Sequence, residues 1–182
     1  MRVFISIDLP REVINEIVRI QEAIRKKNIF TGRFTEPENL HITLKFLGEI
    51  PEETLKKVKE AMKEIKFSEF EAKLGKAGIF SESFVRIIWI KLNGKGNFDL
   101  QKQIDEKLKD IFLPEARFMS HVTIARVKKV HDKPSFLKYL ESIKPKEIEF
   151  QVKEFSLKKS ELKPEGPVYS DIENYILGSD TD

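Results

Sequence analysis

The apolar and polar positions along the chain follow two different periods, and the changes between them predict the order of elements. Residues 2–9 alternate with period two, as a half-buried strand does. Apolar residues then recur at helical spacing to about residue 27, and Pro10 stands in the first turn, where proline is tolerated. Residues 28–39 lack either period and predict a connector. The rest of the chain predicts strands at about 40–47, 70–80, 84–92, 121–128, 147–157 and 168–177, and helices at about 51–65, 98–112 and 133–143.

The predicted elements form two similar series along the chain. In each series a helix precedes a strand that contains a histidine, His41 or His121, and a helix and two further strands follow it. Such a repeat predicts an α+β fold made of one bilobal domain, residues 1–182. In it, a duplicated unit of antiparallel sheet with flanking helices surrounds a central cleft about a pseudo-twofold axis. Residues 178–182 are expected to form a flexible tail.

These two strands carry the same four-residue pattern of histidine, apolar residue, threonine and apolar residue. It reads His41-Ile42-Thr43-Leu44 in one strand and His121-Val122-Thr123-Ile124 in the other. Because side chains two apart on a strand share a face, each histidine lies beside its threonine while the apolar pair points into the core. The chain has only three histidines, and two of them in this pattern indicate one shared site.

Two histidines and two threonines in one cleft suit displacement at a phosphorus atom. An imidazole with a pKa near 6.5 serves equally as base or acid at neutral pH, so one ring takes a proton while the other gives one. The hydroxyls and nearby cations stabilise charge on the non-bridging oxygens. A cyclic phosphodiester fits this chemistry because ring strain assists the leaving group. The symmetry of the site also allows the reverse reaction, ligation to a hydroxyl.

Composition narrows the alternatives. The net charge of +3 is too small to indicate nucleic acid by itself. The absence of cysteine excludes disulfides and thiolate ligands and fits a cytoplasmic protein. No apolar run is long enough to cross a membrane, and no exposed apolar stripe indicates an oligomer, so a monomer without a membrane partner is expected. Two histidines without an acid at ligand spacing fall short of a zinc site, and no glycine-rich phosphate loop is present, so neither metal nor cofactor is expected.

The chain resembles the two-histidine (2H) phosphoesterase superfamily, and within it the RNA 2′,3′-cyclic phosphodiesterases, also called 2′-5′ RNA ligases. The resemblance covers nearly the whole chain, and residues 3–10, 38–49 and 121–126 carry it. It implies a bilobal α+β fold with a phosphate-binding cleft between the lobes. It also implies metal-independent hydrolysis of 2′,3′-cyclic phosphate ends of RNA to 2′-phosphates. The expected partners are RNAs with such ends, including tRNA fragments, or nucleotides.

The resemblance also implies roles for individual residues. His41 and His121 are the acid–base pair, with His121 as the base and His41 as the acid in hydrolysis. Thr43 and Thr123 bind the phosphate, Arg126 contacts it, and Phe46 stacks on the base.

Strict alternation complicates the last two of these residues. It puts Phe46 and Arg126 on the face opposite the histidines, and Lys45 on the histidine face. Only a bulge or a strand end would turn Phe46 and Arg126 into the cleft.

Two other functions stay open. One is a module that binds RNA ends or nucleotides with little turnover, although binding alone has no need of two proton-transfer groups. The other is a phosphodiesterase that acts on a different cyclic phosphate, such as a small nucleotide derivative, because specificity depends on loops.

Overall fold

A computed structural model describes residues 1–178, and it contains one sheet with helices packed against it. The strands are β1 Arg2–Asp8, β2 Phe30–Phe34, β3 His41–Glu49, β4 Phe70–Ile79, β5 Ile87–Asn93, β6 His121–Val130, β7 Glu149–Val152, β8 Glu154–Lys163 and β9 Gly166–Ile176. The helices are α1 Arg11–Lys27, α2 Glu52–Lys63, α3 Lys95–Leu108 and α4 Lys133–Ser142, and a short 3₁₀ helix spans Pro37–Asn39. None of these helices has the length and apolar character needed to span a membrane.

The strand order confirms the predicted α+β duplication. The sheet runs β7-β4-β5-β6-β3-β1-β8-β9, with β2 paired to β6 off this path, and the neighbours within it are antiparallel. Each histidine strand therefore lies at the centre of the sheet, with three further strands outward on its own side. The two sides meet at one residue pair, Ile42 opposite Val122. That pair lies at the pseudo-twofold axis of the repeat.

The helices leave one face of the sheet's centre free. On α1, the buried apolar residues Val13, Ile17, Ile20 and Ile24 recur at helical spacing and pack against the core. This helix contacts β6, and α3 contacts β3, so each central strand is covered from behind by a helix of the opposite series. The histidines and threonines point to the uncovered face.

Strand β3 contains a bulge that breaks its alternation. Ser6 of β1 lies opposite Thr43, but the next residue, Ile5, lies opposite Lys45, so Leu44 is the extra residue. Leu44 and Lys45 are both buried as a result, and Phe46 is 64% exposed. Alternation resumes one position later, which turns Phe46 to the histidine face.

Strand β6 contains the same bulge at the same place. Trp89 of β5 lies opposite Thr123 and Ile88 lies opposite Ala125, so Ile124 is the extra residue. Ala125 is buried and Arg126 is exposed on the histidine face. Strict alternation was therefore wrong at the fourth and fifth residues after each histidine, and the bulge is the physical reason.

Other differences from the predicted elements have tertiary causes. The predicted connector 28–39 contains β2, which forms because it pairs with β6. The single strand predicted at 147–157 is two strands, because the chain crosses at Lys153 from β7, at one edge of the sheet, to β8 on the opposite side. Of the predicted tail, Gly178 donates its NH to the Phe67 carbonyl at 3.0 Å, and residues 179–182 lie outside the described part.

Candidate active site

The two histidines and two threonines meet where the two sides of the sheet join. Because Ile42 and Val122 are an antiparallel pair, the residues that flank them face each other across the two strands. His41 is thus opposite Thr123, and His121 is opposite Thr43. The four side chains form the corners of a square with the histidines on one diagonal, so a small group at its centre is reached by both imidazoles.

A cleft of about 700 Å³ opens over this square. Its walls include all six residues singled out from the sequence: His41, Thr43, Phe46, His121, Thr123 and Arg126. The arginine–phenylalanine pairs that precede both motifs, Arg33-Phe34 and Arg117-Phe118, also line it. The Arg33 guanidinium donates to the Glu165 carbonyl and ties the cleft wall to the β8–β9 hairpin.

Both histidines are held in the same tautomer by a backbone carbonyl two residues upstream. Nδ1 of His41 lies 2.6 Å from the carbonyl oxygen of Asn39, and Nδ1 of His121 lies 2.7 Å from that of Met119. Because a carbonyl oxygen only accepts, each Nδ1 carries the hydrogen and each neutral ring presents the lone pair of Nε2.

The two Nε2 atoms differ in what they contact. Nε2 of His41 accepts from the Thr43 hydroxyl at 2.9 Å. In the described part of the chain, Nε2 of His121 has no hydrogen-bond partner. His121 is therefore ready to accept a proton from a molecule in the cleft, whereas the Thr43 hydroxyl must first turn away from His41.

Burial lowers the pKa of both histidines. Loss of solvent around His41 is the largest effect, the Asn39 carbonyl opposes it, and the nearby Lys158 ammonium lowers the pKa further while Asp8 raises it. Burial also lowers the pKa of His121, against the effect of the Met119 carbonyl. Both rings are accordingly neutral at pH 7 in the free protein, and one must gain a proton before it can act as an acid.

Each imidazole packs edge-to-face against an aromatic ring. His41 lies 5.3 Å from Tyr169 at an angle of 88°, with Phe4 behind it at 5.1 Å. His121 lies 5.2 Å from Phe80, also at 88°. These contacts restrict the rings to orientations that aim Nε2 into the cleft.

The ammonium of Lys45 lies against Asp105 instead of on the histidine face, where alternation predicted it. Its side chain is 2% exposed, and its ammonium lies 2.5 Å from the Asp105 carboxylate on α3 and 2.8 Å from the Leu113 carbonyl. Burial alone would raise the pKa of Asp105, but hydrogen bonds from Lys45, the Glu115 NH and Gln101 outweigh it and hold that pKa below its usual range. The cause of the error is the bulge, which turns Lys45 inward.

Four other contributors to the site carry no signal in the sequence: the carbonyls of Asn39 and Met119, and the rings of Tyr169 and Phe80. Backbone groups are the same at every position, and each ring reaches its histidine from a distant strand or its end. His131, the third histidine, is exposed and binds the Asn28 carbonyl at 2.8 Å and the Thr31 hydroxyl at 2.7 Å. Within residues 1–178, no three histidine, aspartate or glutamate side chains cluster as metal ligands do.

Comparison with known proteins identifies the family. The model for LigT-like phosphoesterases matches residues 7–89 and 93–169. The chain belongs to this family. An RNA 2′,3′-cyclic phosphodiesterase of Methanocaldococcus jannaschii is 37% identical over 178 residues, which are 96% of this chain and 100% of that protein. A protein of the same description from Methanothermobacter thermautotrophicus is 32% identical, over 97% and 99% of the two chains. The 2H phosphoesterase membership predicted from the two motifs is confirmed.

Solved structures agree in fold. The crystal structure of TT0787 of Thermus thermophilus superposes with a TM-score of 0.83 at 29% identity, over 99% of this chain and 100% of that one. That of Escherichia coli LigT complexed with 3′-AMP gives a TM-score of 0.78 at 24% identity, over 98% of each chain. The bilobal α+β architecture is thus shared with both.

Proposed function

We propose that this phosphoesterase hydrolyses 2′,3′-cyclic phosphate ends of RNA to 2′-phosphomonoesters, without a metal ion, by acid–base catalysis between His41 and His121. The observation that carries the proposal is the pair of diagonal Nε2 atoms in one cleft, each ring fixed in its tautomer by a backbone carbonyl. The descriptions of relatives at 37% and 32% identity support the substrate class.

In the proposed reaction, Nε2 of His121 accepts a proton from a water molecule, and the water oxygen forms a bond to phosphorus. The bond from phosphorus to O3′ breaks on the opposite side, and O3′ takes a proton from Nε2 of protonated His41. The product keeps its phosphate on O2′. His121 is assigned as the base because its Nε2 is unoccupied in the described structure.

The Thr43 hydroxyl changes partner during this cycle. In neutral His41 it donates to Nε2 at 2.9 Å. When Nε2 gains a proton, the hydroxyl hydrogen is displaced and is free to point to a phosphate oxygen. Protonation of His41 therefore also frees the Thr43 hydroxyl to donate to the phosphate. Thr123, which lies opposite His41, supplies a second donor.

Arg126 and Phe46 orient the substrate. Each is the second residue after a bulge residue, one on each side of the sheet, and both line the cleft. The guanidinium balances phosphate charge with geometry suited to two oxygens. The phenyl ring, 64% exposed, offers a face on which a terminal base stacks.

The same groups also allow 2′-5′ ligation, because a 5′-hydroxyl can take the place of water: His121 accepts its proton and His41 protonates the departing O3′. We further propose that residues 1–182 act as one catalytic domain and that RNA fragments, including those of tRNA, or nucleotides are the partners. A monomeric state and a cytoplasmic location stay predictions.

The test uses a short RNA that ends in a 2′,3′-cyclic phosphate, incubated in excess EDTA, with the products resolved as 2′- or 3′-phosphate. We expect a 2′-phosphate from the unmodified protein. His41→Ala and His121→Ala should each lower kcat by about 10²–10⁴-fold, the usual contribution of general acid–base catalysis. His131→Ala is the matched control and should keep full activity, since this histidine is bonded to Asn28 and Thr31.

Three outcomes would contradict the proposal in different ways. No turnover in EDTA, with recovery on adding a divalent metal, would exclude the metal-independent reaction. RNA binding without turnover in any condition would indicate a binding module. Turnover of small cyclic nucleotide derivatives but never of RNA ends would move the substrate class to nucleotides.

A further inference from the structure

The aromatic side chains that pack against the two histidines differ in solvent exposure. His41 packs against Tyr169, which is half-buried, and against Phe4, which is 2% exposed. His121 packs against Phe80, which is 57% exposed. The surroundings of His41 are thus closed and those of His121 are open, with the exposed Phe80 ring beside His121 and outside the set of residues that line the cleft.

Phe80 is supported from behind although its outer face is open. Its ring lies 5.7 Å from the indole of Trp89, which is 7% exposed. The indole itself lies across strand β4 at Gly78, where an added Cβ would come within 2.5 Å of it. The absence of a side chain at Gly78 therefore lets Trp89 hold Phe80 against His121. An exposed ring with a fixed position loses little entropy when it binds a ligand.

We propose that Phe80 forms a subsite for a second nucleoside, the one whose 5′-hydroxyl replaces water in the ligation direction. The proposal rests on the proposed function and on His121 as the base. In this step the 5′-hydroxyl gives its proton to Nε2 of His121, and its oxygen forms a bond to phosphorus. The bond from phosphorus to O3′ breaks, O3′ takes the proton of His41, and a 2′-5′ phosphodiester results.

An exposed phenyl ring beside His121, the proposed catalytic base, suits a nucleoside better than water as the second reactant. Water needs no aromatic wall, whereas a nucleobase is stabilised by stacking on one. Phe46 stands on the other central strand and is assigned to the base that carries the cyclic phosphate. Phe46, which lines the cleft, and Phe80, which lies outside that lining beside His121, are two separate rings, as a substrate with a nucleoside on either side of the phosphorus requires.

Phe84 is the matched control for this subsite. It is 63% exposed and belongs to the same β4–β5 connection, but the Arg86 guanidinium lies 4.4 Å over its ring. One face of Phe84 is therefore occupied, and the ring packs with this cation rather than with His121. Removing it changes the exposed aromatic area of the connection without changing the wall of His121.

The test compares two substrates of the same enzyme. One is a nucleoside 2′,3′-cyclic phosphate, which needs only water as the second reactant. The other is a 2′-5′-linked dinucleoside monophosphate, whose cleavage to a cyclic phosphate and a 5′-hydroxyl nucleoside is the reverse of ligation. Phe80→Ala should lower kcat/KM for the dinucleotide by at least about tenfold more than kcat/KM for the cyclic phosphate, because loss of the contact that orients His121 affects both reactions and loss of stacking affects only the first. Phe80→Trp should restore the dinucleotide reaction, and Phe84→Ala should leave both reactions unchanged.

The possible failures are distinguishable. If Phe80→Ala lowers both reactions equally, the ring only positions His121 and the subsite is excluded. Unchanged kinetics with both substrates would also exclude it. If the unmodified protein hydrolyses the cyclic phosphate but neither makes nor cleaves a 2′-5′ bond, the subsite falls and the proposed function stands. If it does not hydrolyse the cyclic phosphate at all, the proposed function itself fails, and the subsite with it.

Discussion

Strands β3 and β6 are equivalent up to the bulge and different after it. Both begin with histidine, apolar residue, threonine, and both insert one extra residue next, Leu44 or Ile124. The following pair is Lys45-Phe46 in β3 and Ala125-Arg126 in β6. In the proposed reaction the duplicated part holds the groups that move protons, which must act from both sides of phosphorus. The unequal part makes the cleft directional, with an apolar ring on one side and a cation on the other.

The two bulges also differ in what supports them from behind. In β3 the buried ion pair of Lys45 with Asp105 joins the strand to α3. In β6 the neutral amide of Gln21, on α1, donates to the carbonyl of the bulge residue Ile124 at 2.9 Å and to that of Thr35 at 2.9 Å. A bulge leaves backbone groups without their ladder partners, and buried polar groups must be satisfied. In β6 the Ile124 carbonyl is satisfied by the Gln21 amide and the Thr35 NH, whereas in β3 the ion pair fastens the residue after the bulge to α3.

The largest expected effect comes from breaking the ion pair behind β3. Lys45→Met leaves the Asp105 carboxylate buried without its cation, and the free energy of unfolding should fall by about 3–5 kcal/mol in urea denaturation. The control variant Lys56→Met removes a lysine whose side chain is 75% exposed and paired with Glu52. It should change the free energy of unfolding by less than about 1 kcal/mol. A Lys45→Met protein as stable as the control would show that the buried pair contributes nothing.

The second-largest effect is expected for Arg126, which lines the cleft at the position of β6 that corresponds to Phe46 in β3. In the proposed complex Arg126 donates charge-assisted hydrogen bonds to the phosphate, worth about 1.5–3 kcal/mol, so in Arg126→Ala kcat/KM for a cyclic-phosphate RNA should fall about 10- to 150-fold. Lys128→Ala removes an exposed charge of the same sign from the same strand and should have little effect. Equal losses in the two variants would mean that Arg126 acts only through the general field of the protein.

A smaller effect is expected for Phe46, the exposed aromatic residue of β3. Phe46→Ala should raise KM about tenfold while kcat changes little, because stacking on the base stabilises ground state and transition state alike. A substrate that ends in an abasic ribose 2′,3′-cyclic phosphate is the internal control, since it has no base to stack. If its KM rises by the same factor, Phe46 shapes the cleft and does not contact the base.

The smallest effect is a displacement of the pH profile. Burial first, and the Lys158 ammonium in addition, lower the pKa of His41. With both histidine pKa values below 6.5, the bell-shaped profile of kcat/KM should have its optimum below pH 6.5 and fall as pH rises. Lys158→Met removes a positive charge and releases Asp8, to which it is paired at 2.9 Å. The pKa of His41 should therefore rise.

If His41 is the acid, the alkaline limb of the profile moves to higher pH in Lys158→Met. If the acidic limb moves instead, His41 is the base and the proposed roles are reversed. Lys159→Met is the matched control, because the neighbouring lysine pairs with Glu161 and does not contribute to the pKa of His41.

Local sequence determined the parts of this protein that depend on neighbours along the chain. The periodicity of residues 11–27 predicts α1 because its buried face is written at helical spacing. The pattern of the two motifs predicts that each histidine lies beside its threonine, because alternation over three residues needs no partner strand. The duplicated order of elements predicts the pseudo-twofold sheet. The family follows from the same motifs.

Only the tertiary structure determined which way the side chains after the third residue of each motif point. A bulge is a mismatch between two paired strands, so Leu44 and Ile124 are extra only with respect to β1 and β5. From that mismatch follow the exposure of Phe46 and Arg126 and the burial of Lys45. The rings of Phe80 and Tyr169 likewise reach their histidines across strands far apart in sequence. The local pattern predicts which side chains share a face of a strand, but pairing with the neighbouring strand determines where a bulge interrupts that alternation.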